Sequence, residues 1–77
     1  MKYYIDYVLK DCENSAEFAM SAKVVRGTAA DIAAVLKKNP VLYEIYNSAG
    51  QTLARGKGEK AELYRNIFIP AEIKKAL

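Results

Sequence analysis

Residues 2–10, KYYIDYVLK, alternate in polarity along their whole length. Tyr3, Ile5, Tyr7 and Leu9 fall on one side, and Lys2, Tyr4, Asp6, Val8 and Lys10 on the other, as in a half-buried β-strand. Residues 17–25 alternate again, with Phe18, Met20, Ala22 and Val24 opposed to Glu17, Ala19, Ser21, Lys23 and Val25. An antiparallel pairing that sets Leu9 against Phe18, Tyr7 against Met20, Ile5 against Ala22 and Tyr3 against Val24 brings the apolar sides together. It also places Lys10 across from Glu17. The polar stretch DCENSA would connect the two strands.

The period then changes. Thr28 is a fitting N-cap, Asp31 sits three residues on, and Ile32, Val35 and Leu36 form one stripe, so a helix is expected over 28–38. Asn39-Pro40 ends it. Residues 41–47 and 51–56 predict a second hairpin, in which the NSAG turn places Gly50 at a left-handed position. Pairing Ile45 with Leu53 and Tyr46 with Thr52 makes Val41, Tyr43, Ile45 and Leu53 the core side, with Arg55 at its rim. A second helix is expected over 59–66. The stretch Ile67-Phe68-Ile69 suits either a fraying helix or an extended segment. Pro70 then opens a short terminal helix that presents Ile73 and Leu77.

Strand, strand, helix thus recurs, and each half contains an Arg-Gly pair, Arg26-Gly27 and Arg55-Gly56. The order reads either as a duplicated unit or as ordinary glycine and proline punctuation. The expected fold is α+β: a two-layer ββαββα sandwich, an antiparallel sheet of two hairpins with the helices on one face and a short C-terminal helix. The order of the strands across the sheet is not readable from the pattern.

Seventy-seven residues hold one domain, residues 1–77. With 52% hydrophobic and 27% charged residues the chain reads as globular. Its single cysteine, Cys12, and the lack of a signal-peptide pattern give the expectation of a reducing, cytoplasmic setting. No apolar run approaches a membrane span, and no membrane partner is expected. The net charge of +3 comes from interspersed charges, so it permits an acidic partner without calling for nucleic acid.

Candidate chemistry is sparse. Gly56-Lys57-Gly58 has the look of a phosphate cradle, but Gly58 is followed by Glu59 where a P-loop needs lysine and a hydroxyl. Glu59 and Glu62 would also occupy the helix N-terminus that a phosphate would seek. The loop reads as a joint. Without histidine, acid–base work would fall to scattered carboxylates, lysines and tyrosines. Cys12 lies between Asp11 and Glu13, which disfavours a reactive thiolate. No enzyme activity, cofactor or metal is expected.

Six tyrosines without tryptophan are the one enrichment. If both helices pack on one side of the sheet, the other side is open and carries Tyr4, Lys10, Lys23, Leu42 and Tyr46, with Val8 and Val25. Tyrosines among lysines suit base stacking, and equally suit anchors for a protein partner. Asp6, Glu17 and Glu44 on the same side count against nucleic acid. A plain half-exposed sheet, held by aromatic pairs and a Tyr4–Lys23 contact, is the third reading. The leading expectation is a cytoplasmic, non-enzymatic protein-binding module. An adaptor or stoichiometric inhibitor of the kind mobile elements and phages encode, or a homodimer, would fit its size. The alternative is a small nucleic-acid-binding domain.

Overall fold

A computed structural model describes residues 2–9 and 23–77. Four strands, β1 (Tyr3–Val8), β2 (Lys23–Gly27), β3 (Leu42–Asn47) and β4 (Thr52–Gly56), form one antiparallel sheet in the order β2-β1-β3-β4. Three helices, α1 (Ala29–Leu36), α2 (Lys60–Arg65) and α3 (Ala71–Ala76), complete the described residues. The fold is α+β, with the sequence of elements that the periodicity predicts. The hairpins lie side by side, and their first strands pair in the middle.

The core lies between the sheet and the helices. Tyr3, Ile5 and Tyr7 from β1 and Tyr43 and Ile45 from β3 meet Ile32, Val35 and Leu36 of α1, Leu63 of α2 and Ile73 of α3. Ile5, Ile32, Leu36, Ile45 and Ile73 are the largest fully buried side chains. Helix α1 begins at Thr28, whose backbone N–H and hydroxyl both donate to the Asp31 carboxylate, at 2.9 and 3.1 Å. It ends at Leu36 with Lys37 as C-cap, and the turn that follows closes on Asn39, whose φ of 54° is left-handed and suits asparagine. Gly50 takes φ 83° in the β3–β4 turn, as the NSAG pattern requires. Asn47 reinforces that turn, its side-chain oxygen accepting from the N–H groups of Ala49 and Gln51.

Two expectations of register are corrected. In the first hairpin Tyr3 faces Gly27, Ile5 faces Val25 and Tyr7 faces Lys23. The expected partner Val24 instead faces Asp6, three residues away from Tyr3. A shift of three is odd, so it turns β2 over: Val25 packs against the core while Val24 is 62% exposed. Phe18, Met20 and Ala22 lie outside the described residues. In the second hairpin Tyr46 faces Thr52 as expected, but Ile45 faces Ala54 rather than Leu53. A bulge between these pairs makes Leu53 the extra residue. Ala54 becomes the buried one, and Arg55 faces Glu44 rather than joining the core side.

With those registers the halves correspond. Tyr3 faces Gly27 in one and Tyr43 faces Gly56 in the other, and each Arg-Gly arginine follows suit, Arg26 on Tyr4 and Arg55 on Glu44. The helical portions differ. Helix α1 follows Gly27 after one residue, whereas α2 follows Gly56 after residues 57–59. Residues 67–69 form turns rather than a helix end or a strand, and buried Ile69 anchors them.

Candidate functional site

No helix among the described residues packs on the second face of the sheet, so its side chains form a surface laid out by strand register. One row across it reads Arg26, Tyr4, Tyr46, Thr52, and the next reads Val24, Asp6, Glu44, Arg55. Val8 and Leu42 form a third, shorter row. Alternation fixes the rows: Tyr3, Ile5, Tyr7, Tyr43 and Ile45 are buried, while Tyr4, Asp6, Leu42, Glu44 and Tyr46 are half-buried or exposed; Val8, at the end of β1, is buried as well.

Tyr4 and Tyr46 stack at 5.3 Å between ring centroids with planes 8° apart. The Arg26 guanidinium sits 5.7 Å from the Tyr4 centroid, within reach of a cation–π attraction. The Tyr46 hydroxyl donates to Asp6 at 3.0 Å. Desolvation, followed by the hydrogen bond to Asp6, raises the Tyr46 pKa above its ordinary value, so this phenol stays a neutral donor at physiological pH. The Thr52 hydroxyl donates to Glu44 at 2.7 Å. Asp6 and Glu44 stand directly opposite each other, an arrangement of like charges that these two hydroxyl bonds offset. A shallow apolar trough of about 360 Å³ opens beside them, lined in part by Val8, Leu42 and Arg55.

Of the residues expected here, Tyr4 and Tyr46 are brought together, and Leu42, 46% exposed, shares their face two rows away. Lys23 is not among them. The turned-over β2 sets it opposite Tyr7, on the side of the helices, and Val25 goes with it. The expected Tyr4–Lys23 contact is replaced by Tyr4–Arg26. Lys10, like Cys12 and Glu17, lies outside the described residues. The pattern also missed Arg26 and Val24. Aligning the two Arg-Gly pairs would not have found Arg26, because the expected β3–β4 register put Arg55 on the core side, and only the bulge turns it to this face.

The glycine loop is resolved by contacts. The Gly58 N–H donates to the Pro40 carbonyl at 2.9 Å, and a side chain on Gly58 would run into the proline ring. That amide is occupied in joining the α1–β3 connection to the β4–α2 connection. Among the described residues no group of three or more His, Cys, Asp or Glu is placed to hold a metal ion. No helix there is long and apolar enough to cross a membrane. Comparison with protein-family models, with curated proteins and with solved structures finds no match.

Proposed function

We propose that this chain is a non-enzymatic protein-binding module that docks its partner on the second face of the sheet. The stacked Tyr4–Tyr46 pair carries the reading: two rings fixed before any partner arrives, with exposed Val24 diagonal to Tyr4 and exposed Leu42 beyond the Asp6–Glu44 row. Preorganised aromatic anchors beside exposed aliphatic residues are what protein interfaces use for most of their binding energy. The charges support a protein over a nucleic acid. Asp6 and Glu44 occupy the middle of the face, Lys23 is turned away from it, and Arg26 is engaged on the Tyr4 ring. A phosphate backbone would meet carboxylates where it needs cations. An adaptor or a stoichiometric inhibitor working in the cytoplasm fits a domain of this size, and a phage or mobile element is a fitting source.

The test is capture of partners from a lysate of the native cell by the wild type and by Tyr4→Ser/Tyr46→Ser. A protein captured by the wild type and lost by the variant, with nuclease treatment indifferent, supports the reading. Capture that disappears with nuclease, or that collapses with added salt, assigns the face to nucleic acid instead.

A further inference from the structure

The two most exposed large apolar side chains of the described residues lie in the turn between α2 and α3. Ile67 is 81% exposed and Phe68 69%, and Tyr64, near the end of α2, is 48% exposed. The turn is tied to the core. The Asn66 side-chain oxygen accepts from the Phe68 N–H at 3.1 Å, and its amide donates to the Tyr43 hydroxyl at 2.9 Å. Ile69, next along, is buried. Two adjacent apolar side chains are therefore displayed to solvent from an anchored backbone.

Cations surround this turn. Lys60 and Arg65 stand on α2, and Lys74 and Lys75 on α3. The Lys74 ammonium donates to the Tyr64 carbonyl at 3.3 Å, which brings it across to the end of α2. Lys60, Arg65 and Lys75 are exposed. Against these four cations the two helices carry two carboxylates, Glu62 and Glu72. Glu62 is half-buried, and Glu72 accepts from the hydroxyl of buried Tyr3. The segment is apolar at its turn and net positive around it.

We infer that this turn docks on an anionic lipid surface, with Ile67 and Phe68 entering the acyl boundary and the cations meeting the headgroups. The charge is complementary, and so is the chemistry of the layer beneath. A leaflet is anionic at its surface and apolar just below, and it yields to a protruding side chain. A protein partner would instead need an apolar pocket with an acidic rim. Tyr64 is the residue type that settles at headgroup depth, its ring apolar and its hydroxyl wet. Neither signal suffices alone. Two inserted side chains bind marginally and a few exposed cations are screened by salt, but together they support reversible docking. No span is required, and among the described residues no helix could supply one. The expectation of no membrane partner rests on the absence of a span, and a surface contact lies outside it.

Co-sedimentation of the whole chain with vesicles tests this, phosphatidylcholine alone against phosphatidylcholine carrying roughly 30% phosphatidylserine. Binding to the anionic vesicles, weakened by salt, is expected. Ile67→Ser/Phe68→Ser, which touches only exposed side chains, is expected to keep the wild-type melt and lower the partition coefficient about tenfold or more. Arg65→Gln/Lys75→Gln is expected to lower it by about tenfold as well. The chain has no tryptophan, so Phe68→Trp supplies a single reporter, whose emission should move to shorter wavelength on the anionic vesicles. The Tyr4→Ser/Tyr46→Ser variant should bind as the wild type does, which separates this surface from the sheet face. A chain that ignores the anionic vesicles overturns the inference. So does binding that the turn variant keeps, binding as strong on phosphatidylcholine alone, or a Phe68→Trp emission unchanged from buffer. A captured protein lost by the turn variant, with vesicles ignored, would give the turn to a protein pocket instead.

Discussion

Tyr46 lies flat against Tyr4 while its hydroxyl holds Asp6, so one side chain joins the aromatic and the acidic rows of the sheet face. Stacking needs the two rings directly opposite, and the β1–β3 register supplies that. Because both partners are known, their coupling can be isolated. A double-mutant cycle over Tyr4→Ala and Tyr46→Ala, read by urea melts, should give a coupling of about 0.5–1.5 kcal/mol. Tyr46→Phe should lose about 0.5–1.5 kcal/mol by removing the bond to Asp6 alone. A cycle that closes at zero would mean the rings are neighbours without being partners.

The corrected register changes which truncations matter. Ile5 is fully buried, so Ile5→Ala should cost about 2–5 kcal/mol. Leu53, displaced into the bulge, is only half-buried, and Leu53→Ala should cost well under that. Leu53 does pack against the core, so equal losses at the two positions would mean that it is as fully buried as Ile5 and that the bulge is absent.

These corrections show where the pattern was legible and where it was not. In β1 and β3 each apolar side is unambiguous, and both strands bury the side the alternation names. In β2 the adjacent Val24 and Val25 offer a valine to the core in either parity, so hydrophobic pattern alone could not choose. The choice falls to the C-terminal end, where Gly27 sits against Tyr3 and runs straight into the Thr28–Asp31 cap. In β4 the larger side chain, Leu53, was the natural core candidate over Ala54, and a bulge leaves no mark on periodicity. The sheet face inherited both outcomes: residues on β1 and β3 were placed correctly, and Lys23 on β2 was not.

Gly58 is expected to tolerate no side chain. Its position against the Pro40 ring leaves a methyl group nowhere to go, and the ring is fixed to the backbone. Gly58→Ala should cost about 1–3 kcal/mol through overpacking. Lys57→Ala, at an exposed neighbour, should be within about 0.5 kcal/mol of wild type. A phosphate cradle would give the opposite order in a phosphate-binding assay, with Lys57 the costly position and inorganic phosphate stabilising the wild type.

Asn66 ties together β3, β4 and the turn after α2 through the bonds of its side chain to Tyr43, Arg55 and Phe68. Asn66→Ala should therefore destabilise by about 1–3 kcal/mol, since the Tyr43 hydroxyl and the Phe68 amide lose their partner together. Hydrogen exchange should show the loss concentrated at residues 66–69. Uniform loss of protection across the sheet would mean the side chain supports the core as a whole rather than this turn.

Tyr3 gives the fold a dependence on alkaline pH. Its ring is buried in the core, and its hydroxyl donates to Glu72 at the start of α3. That bond, with burial and the carboxylate's charge adding to it, pushes the phenol up to about 12, against 10.0 unperturbed. Between those values the unfolded chain has released the proton that the folded chain still holds. Stability therefore falls as pH rises through this window, and the contribution is complete below about pH 10. Tyr43 and Tyr46 are raised as well, so the wild type should lose stability by several groups at once. Tyr3→Phe removes one of them. Its urea midpoint should lie below that of the wild type at pH 8, and the difference should shrink by pH 12 as the wild type loses what the variant never had. A difference that stays constant from pH 8 to pH 12 would show that the Tyr3 hydroxyl makes no bond to Glu72 that its ionisation can break.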